Sequence, residues 1–209
     1  MRQMLRRRLA RARLREPAYR HLYEPDRSDE LVALDCETTG IDPTRDEIIA
    51  VAAIPIRENR LLTSQKLSLT IRPERAPTAD TVKVHHLRPM DVAGGMAMAD
   101  ALPQILAFIG ARPLVGYYID FDLRMLNRYV VPALGAPLVN PLVEVSRMYY
   151  AHRYQRGRPD PTYAYTGMID LRFDTIRRDL GLPALPQHDA INDALLAGMM
   201  YLSLSQPRR

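Results

Sequence analysis

The chain has 209 residues, of which 47% are apolar and 25% charged, a composition typical of globular proteins and unlike that of disordered chains. This length suits one domain with a sizeable core. Its single cysteine, Cys36, excludes an internal disulfide framework, and no Cys/His cluster has zinc spacing. No stretch approaches the roughly 18 apolar residues of a membrane span, and no apolar core follows the basic start. We therefore expect a cytoplasmic protein without a membrane partner.

The formal net charge of +5 comes from the start of the chain. Residues 1–28 contain nine Arg and three acidic residues, so the remainder has a net charge of −1. We therefore divide the chain into a basic N-terminal extension, residues 1–28, and a domain over residues 29–209. Before Pro17, Met and Leu recur at near-helical intervals among the arginines, which predicts a short basic amphipathic helix. This helix is either a solvated extension or a contact for nucleic acid or another partner.

Strand patterns open the domain and then alternate with helices. Three strands, expected at residues 31–38, 47–56 and 62–71, predict an antiparallel meander. The later elements are helices around 78–85 and 99–109, a strand at 113–119, a helix at 120–131 ended by Pro132, a helix or strand at 141–150, and helices at 171–180 and 189–203. This order predicts an α/β domain with a mixed sheet.

Two acidic residues stand at the end of the first expected strand. Alternate residues of a strand share a face, so Asp35 and Glu37 emerge side by side. Neighbouring carboxylates repel each other unless a proton or cation intervenes, and hard cations such as Mg²⁺ prefer carboxylate oxygen. The pair indicates either a divalent-metal site or, as is commoner, a strand end that opens to solvent.

A third carboxylate, Asp122, follows the segment GYYI, where a strand leads into a helix. Ligands gather at the strand ends of open α/β sheets, and a helix N-terminus favours negative charge. Taken alone, Asp122 is ambiguous, because Asp120 and Asp122 both suit the first turn of a helix. Of the two, Asp120 is the better N-cap candidate.

The segment HDAINDALLAGMMYL supplies His188 and Asp193. Residues five apart on an ideal helix lie about 140° apart, so the two converge only if His188 precedes the helix and Asp189 is its N-cap. Asp193 then lies on a strip of small residues, and the larger apolar residues form the core face of the helix. Taken alone, His188 would be an ordinary loop histidine.

Together, LDCETTGIDP, GYYIDFDLRML and HDAINDA resemble the three exonuclease motifs of the DEDDh superfamily, whose best-known member is the epsilon proofreading subunit of bacterial DNA polymerase III. The resemblance covers roughly residues 30–203 and includes the H-x4-D spacing that separates this branch from its tyrosine-bearing relatives. It implies a ribonuclease H-like fold, with a mixed five-stranded sheet flanked by helices. It also implies a 3′→5′ exonuclease that releases 5′-mononucleotides.

The resemblance assigns roles to five residues in these motifs. Asp35, Glu37, Asp122 and Asp193 match the carboxylates that bind two divalent ions, Mg²⁺ or Mn²⁺, with Asp35 in the bridging position. His188 matches the general base, a residue type that titrates near neutral pH. Hydrolysis by two ions requires an activated water and stabilisation of the leaving 3′ oxygen.

Further positions match residues that contact the substrate in relatives. Thr38, Thr39 and Gly40 match the turn that contacts the terminal nucleotide, and His85 resembles a histidine near the substrate, although His86 replaces the glycine that usually follows. Relatives often have His-Asn where this chain has Tyr117 and Tyr118. We therefore expect Tyr118 beside the substrate, with an altered substrate preference.

The sequence leaves the nature of the nucleic acid open. We favour a single-stranded 3′ end of DNA, because LDCETTGIDP is closer to the epsilon-like pattern than to that of oligoribonuclease. Trimming of RNA 3′ ends and a non-catalytic nucleic-acid-binding module are the alternatives. A polymerase partner is possible, but no segment supports one. The Arg- and Tyr-rich segment 147–165 suits either single-stranded nucleic acid or a solvated rim.

Overall fold

The chain was analysed as a computed structural model that describes residues 1–75, 87–156, 168–186 and 188–206. The strands are β1 (Leu31–Thr38), β2 (Ile48–Arg57), β3 (Arg60–Leu61), β4 (Leu67–Thr70), β5 (Leu114–Gly116) and β6 (Leu142–Glu144). The α-helices are α1 (Arg2–Arg13), α2 (Pro89–Ala93), α3 (Met98–Ile109), α4 (Ile119–Leu134), α5 (Val145–Arg156), α6 (Phe173–Asp179) and α7 (Ala190–Ser205). Short 3₁₀ helices occupy Pro17–Tyr23 and Thr63–Gln65.

The strands form one mixed sheet. β1 pairs antiparallel with β2 and parallel with β5, and β5 pairs parallel with β6. β3 and β4 both pair with the other edge of β2. The 3₁₀ turn Thr63–Gln65 occupies the start of the strand expected over residues 62–71, which is therefore shortened to β4, and β3 lies before it. The predicted α/β fold with a mixed sheet flanked by helices is confirmed, with β3 giving six strands in place of five within the described ranges.

The alternation of β1 separates two apolar cores. Val32, Leu34 and Cys36 belong to the core that contains buried residues of α3 and α4, whereas Ala33 belongs to the core beneath α5, α6 and α7. Asp35 pairs in register with Ala52, a member of this second core. The predicted strand period therefore sets the acidic residues of β1 on the α7 side of the sheet.

Helix α7 lies against the middle of the sheet through small residues. A Cβ added to Gly198 would lie 3.3 Å from the Cβ of Ala33, so the helix approaches β1 closely. The core face predicted from the large residues of this helix was wrong, because its most deeply buried residues are mainly small. The expected core residues are only half-buried: Ile191, Leu195, Met199 and Leu202. The small residues face the sheet because its alanine-lined surface admits a close helix.

Helix α4 differs from its prediction at its C-terminal end. Pro132 was expected to end the helix, but the helix continues to Leu134 and ends where Gly135 adopts a φ of +79°. The Arg15 backbone N–H donates to the Leu134 carbonyl at 2.8 Å, and its guanidinium donates to the Pro132 carbonyl at 2.8 Å. These bonds satisfy carbonyls that the end of a helix leaves without internal partners.

The other expectations about local structure were met in part. Residues 141–150, which fitted either a helix or a strand, contain both, because β6 leads directly into α5. The helix expected around residues 78–85 lies outside the described residues. Among the described helices, none has the length and apolar composition needed to cross a bilayer.

The predicted basic helix is present as α1, and the segment that contains it packs on the domain. Ala10, Leu22 and Tyr23 are buried in the core that includes α3 and α4. The Tyr23 hydroxyl donates to the Ala136 carbonyl at 3.2 Å. The basic segment is therefore held in a fixed position on the body of the protein.

Gly116 offers a test of how β5 and α4 are held beside β1. A Cβ at this position would lie 3.0 Å from the Leu34 carbonyl oxygen and 2.8 Å from Cδ1 of Ile119. We expect Gly116→Ala to lower the free energy of unfolding by about 1–3 kcal/mol, because backbone would have to move. Gly94→Ala is the matched control, since no atom lies within 4 Å of its added Cβ. Equal stability of the two variants in urea unfolding would show that this close approach is not required.

Candidate active site

Three carboxylates meet at the end of β1. Asp35 and Glu37 project from β1, Asp193 lies in the first turn of α7, and one oxygen of each lies within 4.8 Å of the others. Such a group suits a divalent cation, which prefers several carboxylate oxygens at once. The structure thus brings together three of the four carboxylates predicted as metal ligands.

The start of α7 sets the position of Asp193. Asp189 caps the helix, with its side chain accepting from the Ile191 backbone N–H at 3.0 Å. His188 precedes the cap in a left-handed conformation with a φ of +59°, and its backbone N–H donates to Oδ2 of Asp193 at 2.9 Å. The predicted placement of His188 in the loop before the helix is confirmed. Oδ1 of Asp193 is buried and has no hydrogen-bond partner among the described residues, which leaves one oxygen free to bind a cation.

The fourth carboxylate, Asp122, lies in the first turn of α4 and is 4% exposed. Its Oδ1 accepts a hydrogen bond from the backbone N–H of Cys36 at 2.9 Å, which ties α4 to β1 between the two acidic residues of that strand. Asp122 lies outside the close group of three. Burial raises the pKa of Asp35 most, and the charge of Asp122 has the next largest effect. Asp122 is therefore close to Asp35.

The N-terminus of α4 is capped from another strand. Oε2 of Glu144, at the end of β6, accepts from the Ile119 backbone N–H at 3.1 Å. Asp120, the N-cap candidate from the sequence, is not the cap; it is exposed and pairs with Arg124 at 3.3 Å. Because Glu144 performs this role, Asp122 remains available to the site.

The carboxylates hold protons more tightly than free carboxylic acids do. Burial, and next the charges of Asp193 and Asp189, raise the pKa of Glu37 to about 7. Burial raises the pKa of Asp122 to about 8, although the hydrogen bond from Cys36 opposes this. The pKa of Asp35 is also raised, first by burial and then by the neighbouring carboxylates. A cation bound among these groups would displace the protons and remove the repulsion.

Asp35, Glu37 and Asp193 line a pocket of about 260 Å³. Three aromatic residues, Tyr117, Phe121 and Phe173, also line it and form its aromatic side. Tyr117 is held in place by its hydroxyl, which donates to the Leu171 carbonyl at 3.0 Å, and by an edge-to-face contact with Phe173 at 5.1 Å between ring centroids. A pocket with acidic and aromatic sides suits a flat apolar group joined to a phosphate whose charge a cation would balance.

The residues expected to contact the substrate do not all line the pocket. Thr38 lines the pocket, and its hydroxyl donates to the Gly40 carbonyl at 2.6 Å. The Thr39 hydroxyl lies in the adjoining turn, where it accepts from the Glu47 backbone N–H at 2.9 Å. A Cβ on Gly40 would overlap the carboxylate of Asp46, so a larger residue in this turn would require the Asp46 side chain to move.

Tyr118 and His85 are the remaining expected contacts. Tyr118 is 66% exposed, has a φ of +57° and makes an edge-to-face contact with Tyr117, which lines the pocket. A positive φ is unusual for a bulky residue and often marks a functional position. His85 lies outside the described residues.

Sequence reasoning singled out Tyr117 but missed Phe121, Phe173 and the contact that orients Asp122. Phe121 directly precedes Asp122, so its position next to a candidate ligand in the sequence could have predicted its place in the pocket. Phe173 lies about fifty residues further along the chain, and only the packing of α6 brings it to the pocket. The bond from Cys36 comes from a backbone amide, which no side-chain pattern could reveal.

Comparisons with known proteins agree with this geometry. The family model RNase_T, described as "Exonuclease", matches residues 32–201. Similar sequences include a DNA polymerase III PolC-type from Thermotoga petrophila, 24% identical over 90% of this chain and 13% of that protein. They also include the DNA polymerase III subunit epsilon of Aquifex aeolicus, 22% identical over 83% of this chain and 79% of that protein. An oligoribonuclease from Streptomyces coelicolor is 27% identical over 69% of this chain and 81% of that protein.

Among solved structures, a zinc-bound complex of E. coli exonuclease I with single-stranded DNA superposes with a TM-score of 0.68 and 16% identity. The match covers 85% of this chain and 40% of exonuclease I, and it shows the ribonuclease H-like fold. The chain thus spans about an eighth of the PolC-type polymerase and under half of exonuclease I. The expected resemblance to the epsilon subunit is confirmed.

Asp122→Asn tests the cost of burying this carboxylate in the site. Because the folded pKa of Asp122 is raised, the folded protein retains a proton that the unfolded chain releases, so stability falls as pH rises from about 4 to about 8. Without divalent ions, we expect the variant to be more stable than the wild type at pH 8 by about 1–3 kcal/mol. At pH 4 the two should be nearly equal.

Urea unfolding in a chelating buffer measures this difference. Exposed Asp120→Asn is the control and should change stability equally little at both pH values. If Asp122→Asn destabilises the protein by the same amount at both pH values, the carboxylate is not under electrostatic strain.

Proposed function

The chain belongs to the RNase_T exonuclease family within the 3′→5′ exonuclease superfamily, and on that basis we propose that it hydrolyses phosphodiester bonds from the 3′ end of DNA. The product would be a 5′-mononucleotide. The single observation that carries the proposal is the meeting of Asp35, Glu37 and Asp193 beside the aromatic pocket. We further propose residues 29–209 as the exonuclease domain and 1–28 as an addition to it, which the match to residues 32–201 supports.

We propose that two divalent ions, Mg²⁺ or Mn²⁺, are held by Asp35, Glu37, Asp122 and Asp193, with Asp35 shared. The residues fit such ions: three carboxylates converge, Oδ1 of Asp193 has no partner among the described residues, and burial together with neighbouring negative charge raises the pKa of Glu37. When bound, the ions would lower the pKa of the attacking water and offset charge on the leaving oxygen. Side chains of this protein would accept the proton from the attacking water and position the nucleotide.

His188 is the proposed general base. It lines the pocket with the carboxylates, and its exposed ring is free to turn towards a water beside the phosphate. The hydrogen bond from its backbone N–H to Asp193 fixes the loop that carries the ring. Imidazole accepts a proton near neutral pH, which suits deprotonation of the attacking water.

The terminal nucleotide would lie between the carboxylates and the aromatic side. Tyr117, Phe121 and Phe173 would contact the base or sugar, and Thr38 would lie beside them on β1. Aromatic contacts of this kind accept any unpaired base, because every base has a flat face. We propose that Tyr118, exposed beside Tyr117, contacts the next nucleotide, and that Thr39 and Gly40 act mainly by shaping the turn.

We favour DNA over RNA as the substrate. The motif LDCETTGIDP and the matches to PolC-type and epsilon polymerase proteins support DNA, and the oligoribonuclease match supports short RNA as the second candidate. A non-catalytic binding module is less well supported, since such a module would not need strained carboxylates beside a histidine. The similar PolC-type and epsilon proteins are named as polymerase components. No segment of this sequence itself indicates a polymerase partner.

Asp35→Asn is the decisive variant for the activity. We expect the wild type with Mg²⁺ or Mn²⁺ to shorten single-stranded DNA from its 3′ end and release 5′-mononucleotides. The variant should lose at least about 10³-fold of that rate, since it removes a carboxylate that would hold the ions. Asp120→Asn, exposed and two residues from Asp122, should keep full activity.

The same assay separates the candidate substrates. Electrophoresis of end-labelled single-stranded DNA, mismatched duplex DNA and short RNA would give the relative rates. Faster turnover of RNA would move the assignment to an RNA-trimming enzyme. Substantial hydrolysis by Asp35→Asn, or hydrolysis that persists after chelation, would contradict the metal-dependent site.

His188→Gln tests the general base. We expect the rate of the chemical step to fall by about 10²–10⁴-fold while folding and metal-induced stabilisation persist. The pH profile of activity should also change in the variant, because a group that accepts a proton in the chemical step is lost. An unchanged profile would exclude the role.

A further inference from the structure

The outward side of α1 is apolar and exposed. Met4, Leu5 and Leu9 are 62%, 58% and 54% exposed, respectively. On a helical wheel of about 100° per residue they lie on one side of the helix. An amphipathic helix normally turns such residues towards the core, so their exposure requires an explanation.

The opposite side of α1 is fixed to the domain. The Gln3 side-chain amide donates to the Val139 carbonyl, the Arg7 guanidinium donates to the Ala111 carbonyl at 3.3 Å, and Ala10 is 4% exposed. Downstream, the Arg15 backbone N–H donates to the Leu134 carbonyl. The helix is thus anchored by polar contacts and one small residue, and its larger apolar side chains face outwards.

Arginines surround the apolar strip. The exposed ones are Arg2, Arg6, Arg8, Arg11 and Arg13. None of these forms an ion pair with a described residue, and residues 1–15 contain no Asp or Glu. The surface of α1 therefore combines apolar side chains with positive charge. Of its exposed arginines, Arg11 lines a cavity with Glu24, Asp26 and Glu30, and an anionic partner would complement the others.

This surface lies away from the candidate active site. The segment that carries α1 bonds to the C-terminal end of α4 at Leu134, whereas Asp122 is in the first turn of that helix. The two positions are twelve residues apart, or about 18 Å along the helix axis. A terminal phosphate held at the carboxylates would therefore lie away from α1, and phosphates do not account for exposed Met and Leu.

We propose that the outward face of α1 binds an anionic lipid surface. A helix that lies on a bilayer inserts one apolar face while flanking arginines meet the headgroups, so the other face can stay on the domain. Such a contact requires no spanning segment. The proposal is independent of the exonuclease assignment.

Other occupants fit the surface less well. A second copy would bring its own α1 arginines against these, with no acidic residue on either helix to balance them. A folded protein would need roughly 800 Å² on each side for a stable interface. A helix of 12 residues, about 18 Å long, offers far less than that by one face. Binding to a lipid surface does not require an interface of that area.

Vesicle co-sedimentation of the full chain tests the proposal. We expect binding to vesicles of phosphatidylcholine with phosphatidylglycerol, and little binding to phosphatidylcholine alone. The double variants Leu5→Ser/Leu9→Ser and Arg8→Gln/Arg11→Gln should each weaken binding by about tenfold or more. Arg45→Gln/Arg124→Gln, which removes exposed arginines elsewhere, should bind like the wild type. Asp35→Asn should also bind, whatever its activity.

Several results would overturn the proposal. One is failure to bind the anionic vesicles; another is binding that the leucine variant does not weaken, since charge alone would then explain it. If the α1 variants instead weaken binding to single-stranded DNA or change the oligomeric state, the surface serves nucleic acid or a protein. Unchanged exonuclease rates in the α1 variants are expected on the present assignment.

Discussion

Buried carboxylates at the end of β1 lie close enough to repel one another, and the elements around them must hold them together against this repulsion. Asp35, Glu37 and Asp193 lie within a few ångströms of one another, and Asp122 adjoins them. Burial and mutual charge raise their pKa values, so the folded chain carries this cluster at a cost to stability above neutral pH. A protein retains such an arrangement where function requires it. Divalent cations would convert the repulsion into binding energy.

The four carboxylates come from three elements, and a few local contacts set their positions. β1 supplies two through its alternation, α4 supplies Asp122 at a start capped by Glu144, and α7 supplies Asp193 at a start capped by Asp189. Small residues let α7 approach the sheet, and Gly116 lets β5 approach β1. The N-terminal segment packs on the same domain at the C-terminal end of α4. There its helix α1 presents arginines and apolar side chains away from the active site.

Local periodicity and capping predicted much of this arrangement. The alternation of β1, the loop position of His188 and the cap at Asp189 followed from spacing alone, because each depends on neighbouring residues. The end of α4 was misjudged, since Pro132 is accommodated within the helix and contacts from the distant Arg15 satisfy carbonyls at its end. The buried face of α7 was misjudged because closeness to an alanine-lined sheet outweighs side-chain size. Phe173 could not be found, since tertiary packing alone brings it to the pocket.

The proposed binding of divalent cations by these carboxylates can be tested directly. Crystals grown with Mn²⁺ and a 5′-mononucleotide would locate the cations through anomalous scattering at the manganese edge. We expect two peaks about 3.5–4 Å apart, both in contact with Asp35, with the nucleotide phosphate beside them and its base against Tyr117 and Phe173. Absence of manganese from this cluster at saturating concentration, with an ordered nucleotide present, would contradict it.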